Sequence, residues 1–586
     1  MKKILLIAAL AAVLPWSAGA QVEKQVEVTK AYVPSLESAT KLAMVPDMTD
    51  TTRMRPEIDY SITPLTMSTV LATRPIRPAT VTYWEFNRPK PFYLKAGAGY
   101  PLNSVLDFYA STQNPGTGYV VGYVNHEGLY GKLCNDWGEK NTATRMFNRI
   151  GAAAGKYFGR RTLEGELSYE NRMYHRHGAG YAATVASEAL WQAFVHPGRR
   201  LDYGDANLAV RFGDDFHDLS RTNFEVALRG GLFFDHSDHY ADAEAAREIR
   251  FGATARVGRA FGKHRLSLEA AYDRHAGRKA LDGAQSDLIR AGARYGVDGG
   301  VVRFEAGADY CYDRTEIGGE REGRSYIFPF ARLDFDLGAP GIRPFVEVDG
   351  GLETNDFRSL TLRNPYLAGP MWGDRSSADY NARTGIGGSL WRGKVNYRLY
   401  AGFSIRDDHL YWIAARSLFF RDGGQEAEVD FAHFLPVRGR QTVGSLRGEV
   451  EYRPVTGFLL TLGGSGYLYN DEEQYANGEP AFRGDVALRY EGRRISFGAG
   501  VGMQSRREWT VLTERLSVDG TEAGAPTMST YAAPFDFELK VDFAWRASQS
   551  VELFAEGSNL AGRDLYLFPG YRDFGARVTV GIKMVF

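Results

Sequence analysis

What this chain lacks narrows it before any motif is read. Two cysteines in 586 residues cannot staple a disulfide-built scaffold. Past residue 20, no apolar run approaches the roughly 18 to 20 residues that a membrane-spanning helix requires. A chain that enters a membrane without such a helix must cross it as a closed barrel. The formal net charge of −1, from 70 Lys and Arg against 71 Asp and Glu, supplies no basic field for nucleic acid. Catalytic and nucleotide motifs are missing as well. There is no Gly-x-Ser-x-Gly in a strand-turn-helix setting. The run Gly388 to Val395 superficially matches a phosphate-binding loop, but Val395 stands where Ser or Thr is needed and the segment reads strand-turn-strand. Gly498, Gly500 and Gly502 read as strand positions where glycine relieves crowding. No catalytic residue, no cofactor and no enzymatic activity is assigned.

What is present points one way. Val578, Val580, Ile582, Met584 and Phe586 alternate with Arg577, Thr579 and Lys583, so one face of the last segment is apolar and the other polar. An aromatic residue ends the chain, and this alternation is read as a barrel's C-terminal signal. The segment Phe535 to Trp545 repeats the pattern, with Asp536, Glu538, Lys540 and Asp542 on its polar face. Such charges are read as structural networks inside a wet lumen rather than as a binding site. Sixty-six glycines, 33 tyrosines and 34 phenylalanines suit many strands, tight turns and interfacial aromatic girdles. A mean hydropathy of −0.33 is expected when only one face of each strand meets lipid.

The amino terminus carries Lys2 and Lys3, an apolar run from Ile4 to Leu14, and small residues at Ser17, Ala18, Gly19 and Ala20. Residues 1–20 are therefore expected to be a secretory signal peptide, with the mature chain beginning at Gln21. Residues 21–91 have another texture, with prolines at 34, 46, 56, 64, 75, 78, 88 and 91 and little alternation. They are read as an extended Pro-rich arm, periplasmic or lumenal. From residue 92 to 586, short turns recur near 113–117, 158–161, 214–220, 261–264, 297–300, 338–341, 391–394, 454–457, 491–494 and 546–550. If these ten turns are periplasmic and join eleven up-and-down pairs, the fold is all-β: a transmembrane antiparallel β-barrel of about 22 strands in the cell outer membrane.

The end of the chain resembles a known family. Val551 to Leu560, with its Asn559-Leu560 pair, the loop residues Tyr566, Gly570 and Tyr571, and the aromatic-terminated last strand look like the end of TonB-dependent-receptor barrels. The resemblance covers roughly residues 92–586. It implies a receptor-like barrel that transports a solute, with outer-membrane lipid and the barrel-assembly machinery as partners. One departure matters: that family carries a plug of well over 100 residues before the barrel, whereas only 21–91 stands here. Val26-Glu27-Val28-Thr29 can be forced to resemble a TonB-contact segment, but such short acidic-then-apolar patterns occur often by chance.

Two further features carry residue types with chemistry of their own. Asp235, His236, Asp238 and His239 lie close together on an outer loop, where they could ligate a divalent metal or simply form a solvated loop; His175 and His177 lie on the preceding outer loop. Cys134 and Cys311 both fall near the outer rim, and free thiols are expected because strand separation in a large barrel keeps their α-carbons apart. The function expected is a channel or transport component for a polar solute. The alternative is a structural or assembly platform that binds a periplasmic or outer-membrane protein partner through the 21–91 arm. A transport role predicts that removing the arm raises permeability.

Overall fold

A computed structural model describes residues 90–114, 116–183, 200–237, 245–338, 341–421, 424–517 and 522–586. The signal peptide, the arm up to residue 89, Asp238 and His239 lie outside the described residues.

The main sheet has 25 strands, and three of them, Gly180–Ala183, Arg507–Ser517 and Glu522–Ala533, lie outside the wall, leaving a closed antiparallel barrel of 22. Closure is direct. The first strand, Phe92–Tyr100, pairs with the last, Arg577–Val585, from Tyr93↔Val585 to Tyr100↔Val578, and the Phe92 and Phe586 backbones exchange hydrogen bonds of 3.0 Å. No sheet edge in the wall is left unpaired, as a backbone in lipid requires.

Period two explains the two surfaces. Val580 is 55% exposed and Ile327 65% exposed toward the bilayer, while Lys583 turns inward to Glu552 at 3.0 Å. Phe158, Phe261, Tyr490 and Trp545 remain exposed beside the short turns, as an interfacial girdle should. Ten short connections lie on the rim that holds the carboxyl terminus, and the two-residue turns at Gly159 and Gly262 place those glycines at φ +66° and +62°, where a side chain would strain the backbone. The ten turns and the 22 strands expected from the sequence are both present.

One hairpin is far longer than the other wall strands, which run 8 to 16 residues. Val395–Arg421 and Gly424–Tyr452 run 27 and 29 residues, far more than a bilayer crossing needs. Above the wall this hairpin bulges between Arg406 and His409, where Asp408 takes φ 53°, and then recruits new neighbours. Ala414–Phe420 pairs in parallel with Val511–Ser517, and Ala427–Asp430 pairs with Gly180–Ala183. The result is an outer sheet standing on the barrel. The helix among the described residues, α1 (Phe357–Arg363), lies in the outer connection between Arg343–Glu353 and Ser377–Leu390. Cys134 and Cys311 are both free thiols, the latter buried with Leu288 and Phe328.

Candidate functional site

The outer connections fold inward and build an apolar lid over the barrel mouth. Its centre joins Tyr366, Phe434, Phe568 and Tyr571, which come from three separate connections and are at most 8% exposed. The Tyr366 and Tyr571 rings lie 3.9 Å apart, and Phe568 meets Tyr366 edge-on at 5.9 Å. Each aromatic side chain buried this way contributes roughly 1.5 to 3 kcal/mol of transfer free energy.

Polar groups inside the lid fix its geometry. Arg176 is buried among the lid segments, and its guanidinium donates to the carbonyls of Ala432 at 2.5 Å, Leu367 at 2.7 Å and Tyr366 at 3.3 Å. One side chain thus ties the 364–368 segment to the tall hairpin, where the Phe434 N–H also donates to the Tyr366 carbonyl at 3.0 Å. The Tyr571 hydroxyl donates to the Phe431 carbonyl at 3.0 Å, and the Tyr203 hydroxyl to that of Pro365 at 3.0 Å. Burial pushes the His433 imidazole down to about 4 and the His409 imidazole down to about 3, so both are neutral packing groups. His177 is lowered by burial as well, and its Nε2 faces the Arg572 carbonyl at 2.9 Å.

Helix α1 attaches the lid to the wall. Asp356 caps it, its Oδ1 accepting the Ser359 N–H at 2.9 Å, and Phe357 and Leu360 insert into the apolar cluster, with the Phe357 ring 5.5 Å from Phe233. The wall answers with charge. Glu248, fully buried, accepts the Arg358 N–H at 2.9 Å and lies 3.1 Å from His275 Nδ1, which in turn is 3.4 Å from Asp356 Oδ2. Arg358 Nε donates to Asp205 at 2.6 Å, and Arg250 pairs with the same carboxylate. Burial pushes the Asp356 carboxyl up, but His275, the Ser359 N–H and the Arg250 and Arg358 guanidiniums outweigh it and the net shift is down. With two guanidiniums inside it and its carboxylates already accepting N–H groups, the cluster is a closed ion network.

Beneath the lid lies a cavity of about 2440 Å³, bounded above by Tyr566 and Arg358 and reaching the turns 492–494 and 547–550 on the opposite rim. Its wall is charged. Arg149 pairs with Glu166 at 3.0 Å, Arg172 with Glu170 at 2.9 Å, Lys95 with Glu556 at 2.8 Å and Lys540 with Glu538 at 3.1 Å. Arg447 and Arg483 flank Ser465 on neighbouring strands and have no carboxylate partner among the described residues.

Of the residues singled out from the sequence, Asp238 and His239 lie outside the described residues, and the described ones turn to local partners. Asp235 is buried and its Oδ1 accepts the Ser237 N–H at 3.0 Å, while the His236 ring stacks on Phe234 at 5.9 Å. His175 Nδ1 faces the Thr144 carbonyl at 2.9 Å. The residues that do form a constellation, Asp205, Glu248, His275, Asp356 and Arg358, come from four separate segments. Only Asp356, ahead of an apolar pair spaced i, i+3, carried a local signal, that of a helix cap.

No family model and no curated protein matches the sequence. Solved structures match its fold. The FrpB iron transporter from Neisseria meningitidis superposes with a TM-score of 0.64 at 10% identity, over 85% of this chain and 82% of that one. The ferric-catecholate import receptor Fiu from K12 E. coli, in a closed form, gives 0.61 at 10% identity over 85% and 82%. The copper transporter OprC gives 0.61 at 12% identity over 86% and 82%. The chain therefore has the barrel fold of TonB-dependent receptors and is an outer-membrane protein.

Proposed function

We propose that this chain is a gated outer-membrane transport component for a polar solute. The observation that carries the reading is the pairing of two elements. A charged lumen of about 2440 Å³ reaches the inner rim, and an apolar lid closes its outer end. A wall built only as a platform has no need of a wide polar interior, and such an interior would leak if it were not closed. The lid is the outer barrier. The arm, which joins the wall at the inner rim where the Lys90 Nζ donates to the Val585 carbonyl at 3.0 Å, is the inner barrier in this reading. The structural neighbours are named for transport of iron, a ferric catecholate and copper, and ferric chelates and copper are the first solutes to try.

The test is single-channel conductance in a planar bilayer, for the full chain, for a chain lacking residues 21–89, and for that truncation combined with removal of 364–368. The full chain and the simple truncation should both stay closed, in contrast to the rise in permeability expected from the sequence alone, because the lid seals the mouth in either. The double deletion should conduct. Closure of all three forms would sink the gate and turn attention to a platform role.

A further inference from the structure

The lid is fastened to the wall through a network whose charge is completed by one proton. Three carboxylates, Asp205, Glu248 and Asp356, face two guanidiniums, Arg250 and Arg358, which leaves one negative charge in excess unless the cluster holds a proton, either on His275 or on Glu248, whose carboxyl burial pushes up to about 7. Glu248 is fully buried and Asp356 and Asp205 nearly so, so an excess charge there would be poorly screened. His275 points Nδ1 at both Glu248 Oε1 and Asp356 Oδ2, and so bridges the wall to the residue that caps α1. We infer that His275 is a proton-operated latch: as an imidazolium it locks α1 to the barrel wall, and its deprotonation loosens the outer lid.

Position supports this role. On the strand His264–Lys279, the outward apolar face runs from Leu266 and Leu268 to Tyr272 and gives way to Arg274, so His275 stands beyond the apolar layer of the bilayer. It is 16% exposed on its side chain, enough to exchange a proton with water. His177, His409 and His433, also in the lid, are held toward the neutral form by burial, and none faces a carboxylate across a short contact among the described residues. Charged groups surround the latch from every side: on its own strand Asp273, two residues away on the same face, pairs with Arg290 of the neighbouring strand Gln285–Asp298 at 2.6 Å. The strand Ala246–Phe261 supplies Glu248 and Arg250; the strand Arg200–Asp214 supplies Asp205 and Asn207, whose Oδ1 accepts from Arg250 at 2.9 Å. The outer connection supplies Asp356, Arg358 and Thr354, whose hydroxyl donates to Asp356 Oδ2 at 3.0 Å. At the far end of α1, Arg363 pairs with Glu353 at 2.6 Å and closes on itself.

The sign follows from linkage. A histidine that gains carboxylate partners on folding stabilises the closed lid fully below about 6.5, its free value, and that contribution fades as pH rises. One proton limits the effect to about a tenfold loosening per pH unit.

The inference rests on the lid being a gate, and its test is chosen to be read without conductance. Hydrogen-exchange protection factors of the α1 amides, corrected for intrinsic rates, are measured from pH 5 to 9 on the full chain in lipid nanodiscs. Protection should fall with rising pH, by up to about tenfold per unit. Glu248→Gln removes the excess negative charge and keeps an oxygen for the Arg358 N–H, so its protection should be flat across the range. His275→Gln should be flat and uniformly weaker. A flat wild-type profile overturns the latch, as does a wild-type slope retained in Glu248→Gln or in His275→Gln, the last because the proton would then sit on Glu248 rather than on the imidazole. So does a loss of protection on adding EDTA at constant pH, because the group holding Glu248 and Asp356 together would then be a metal ion. Exchange that follows pH in a protein that never conducts would defeat the gate and leave the latch standing; conductance with flat exchange would do the reverse.

Discussion

In the wall, Val578, Val580 and Ile582 face lipid while Thr579 and Lys583 face the lumen, and each orientation follows from residues one and two positions away. In the lid, Tyr366, Phe434 and Tyr571 meet from three distant connections, and no periodicity joins them. The wall is held by backbone ladders closed into a ring, with side chains tuning its fit to lipid and water. The lid stands on the ladders of the outer sheet, but its separate connections are joined mainly by side chains: a small apolar centre, one buried guanidinium and one ion network. The consequence is a difference in modes of failure. A lesion in the lid should open it and leave the barrel standing, whereas a lesion in the wall should weaken the whole molecule.

The largest effect is expected from Phe434→Ala. Phe434 has no exposed surface and packs on Tyr366, Phe568 and Tyr571, so its loss leaves a cavity that costs about 3 to 5 kcal/mol. Protection of the 364–368 and 431–434 amides should collapse, while the heat-modifiable gel mobility that reports a closed barrel stays unchanged. If the barrel unfolds along with the lid, the two are a single cooperative unit and the comparison fails.

Next is Val580→Lys, which places a charge on the lipid face near the middle of the last strand. Val580 is 55% exposed, and a lysine at bilayer depth costs about 2 to 4 kcal/mol. Here the expected failure is global. Denaturant unfolding in lipid vesicles should shift to lower concentration for every probe together, with lid protection lost at the same midpoint as the barrel. A lid that unfolds first in this variant would show that the seam between the first and last strands also supports the roof.

The same contrast explains what could be read from the chain. Alternation over Phe535 to Trp545, short turns such as Asp298-Gly299-Gly300, and the aromatic last strand are local patterns, and they set strand number, sidedness and the inner rim. The tall hairpin carries no clear alternation in sequence because Tyr411 to Ala415 are buried on successive positions. Above the membrane this hairpin is covered on both faces, and the period-two signal disappears. The lid was invisible for a related reason: Arg176, Glu248 and His275 look like ordinary rim residues until the loops fold over them. The His-rich outer loop drew attention because its residues are adjacent in sequence, yet Asp235 and His236 turn to local partners. The constellation that forms is assembled across strands, where sequence spacing carries no information.

The smallest effect should come from lumen charges. Lys583 lies 3.0 Å from Glu552 and 5.2 Å from the centre of the Phe554 ring, with 24% and 21% of the paired side chains exposed to the wet lumen. Pairs of this kind contribute about 0 to 1 kcal/mol, because water already solvates both partners and the long side chain loses rotamer freedom when held. Glu552 also lies 3.4 Å from Arg546, so removing Lys583 does not strand the carboxylate. Lys583→Met should therefore shift the unfolding midpoint by little, and by less again in high salt. A loss above about 2 kcal/mol would place Lys583 in the closure of the barrel itself. If stability holds, the salt dependence of ion passage through an opened form becomes the direct measure of what the lumen charges do: discrimination among solutes, with the wall's strength supplied by the backbone ladder alone.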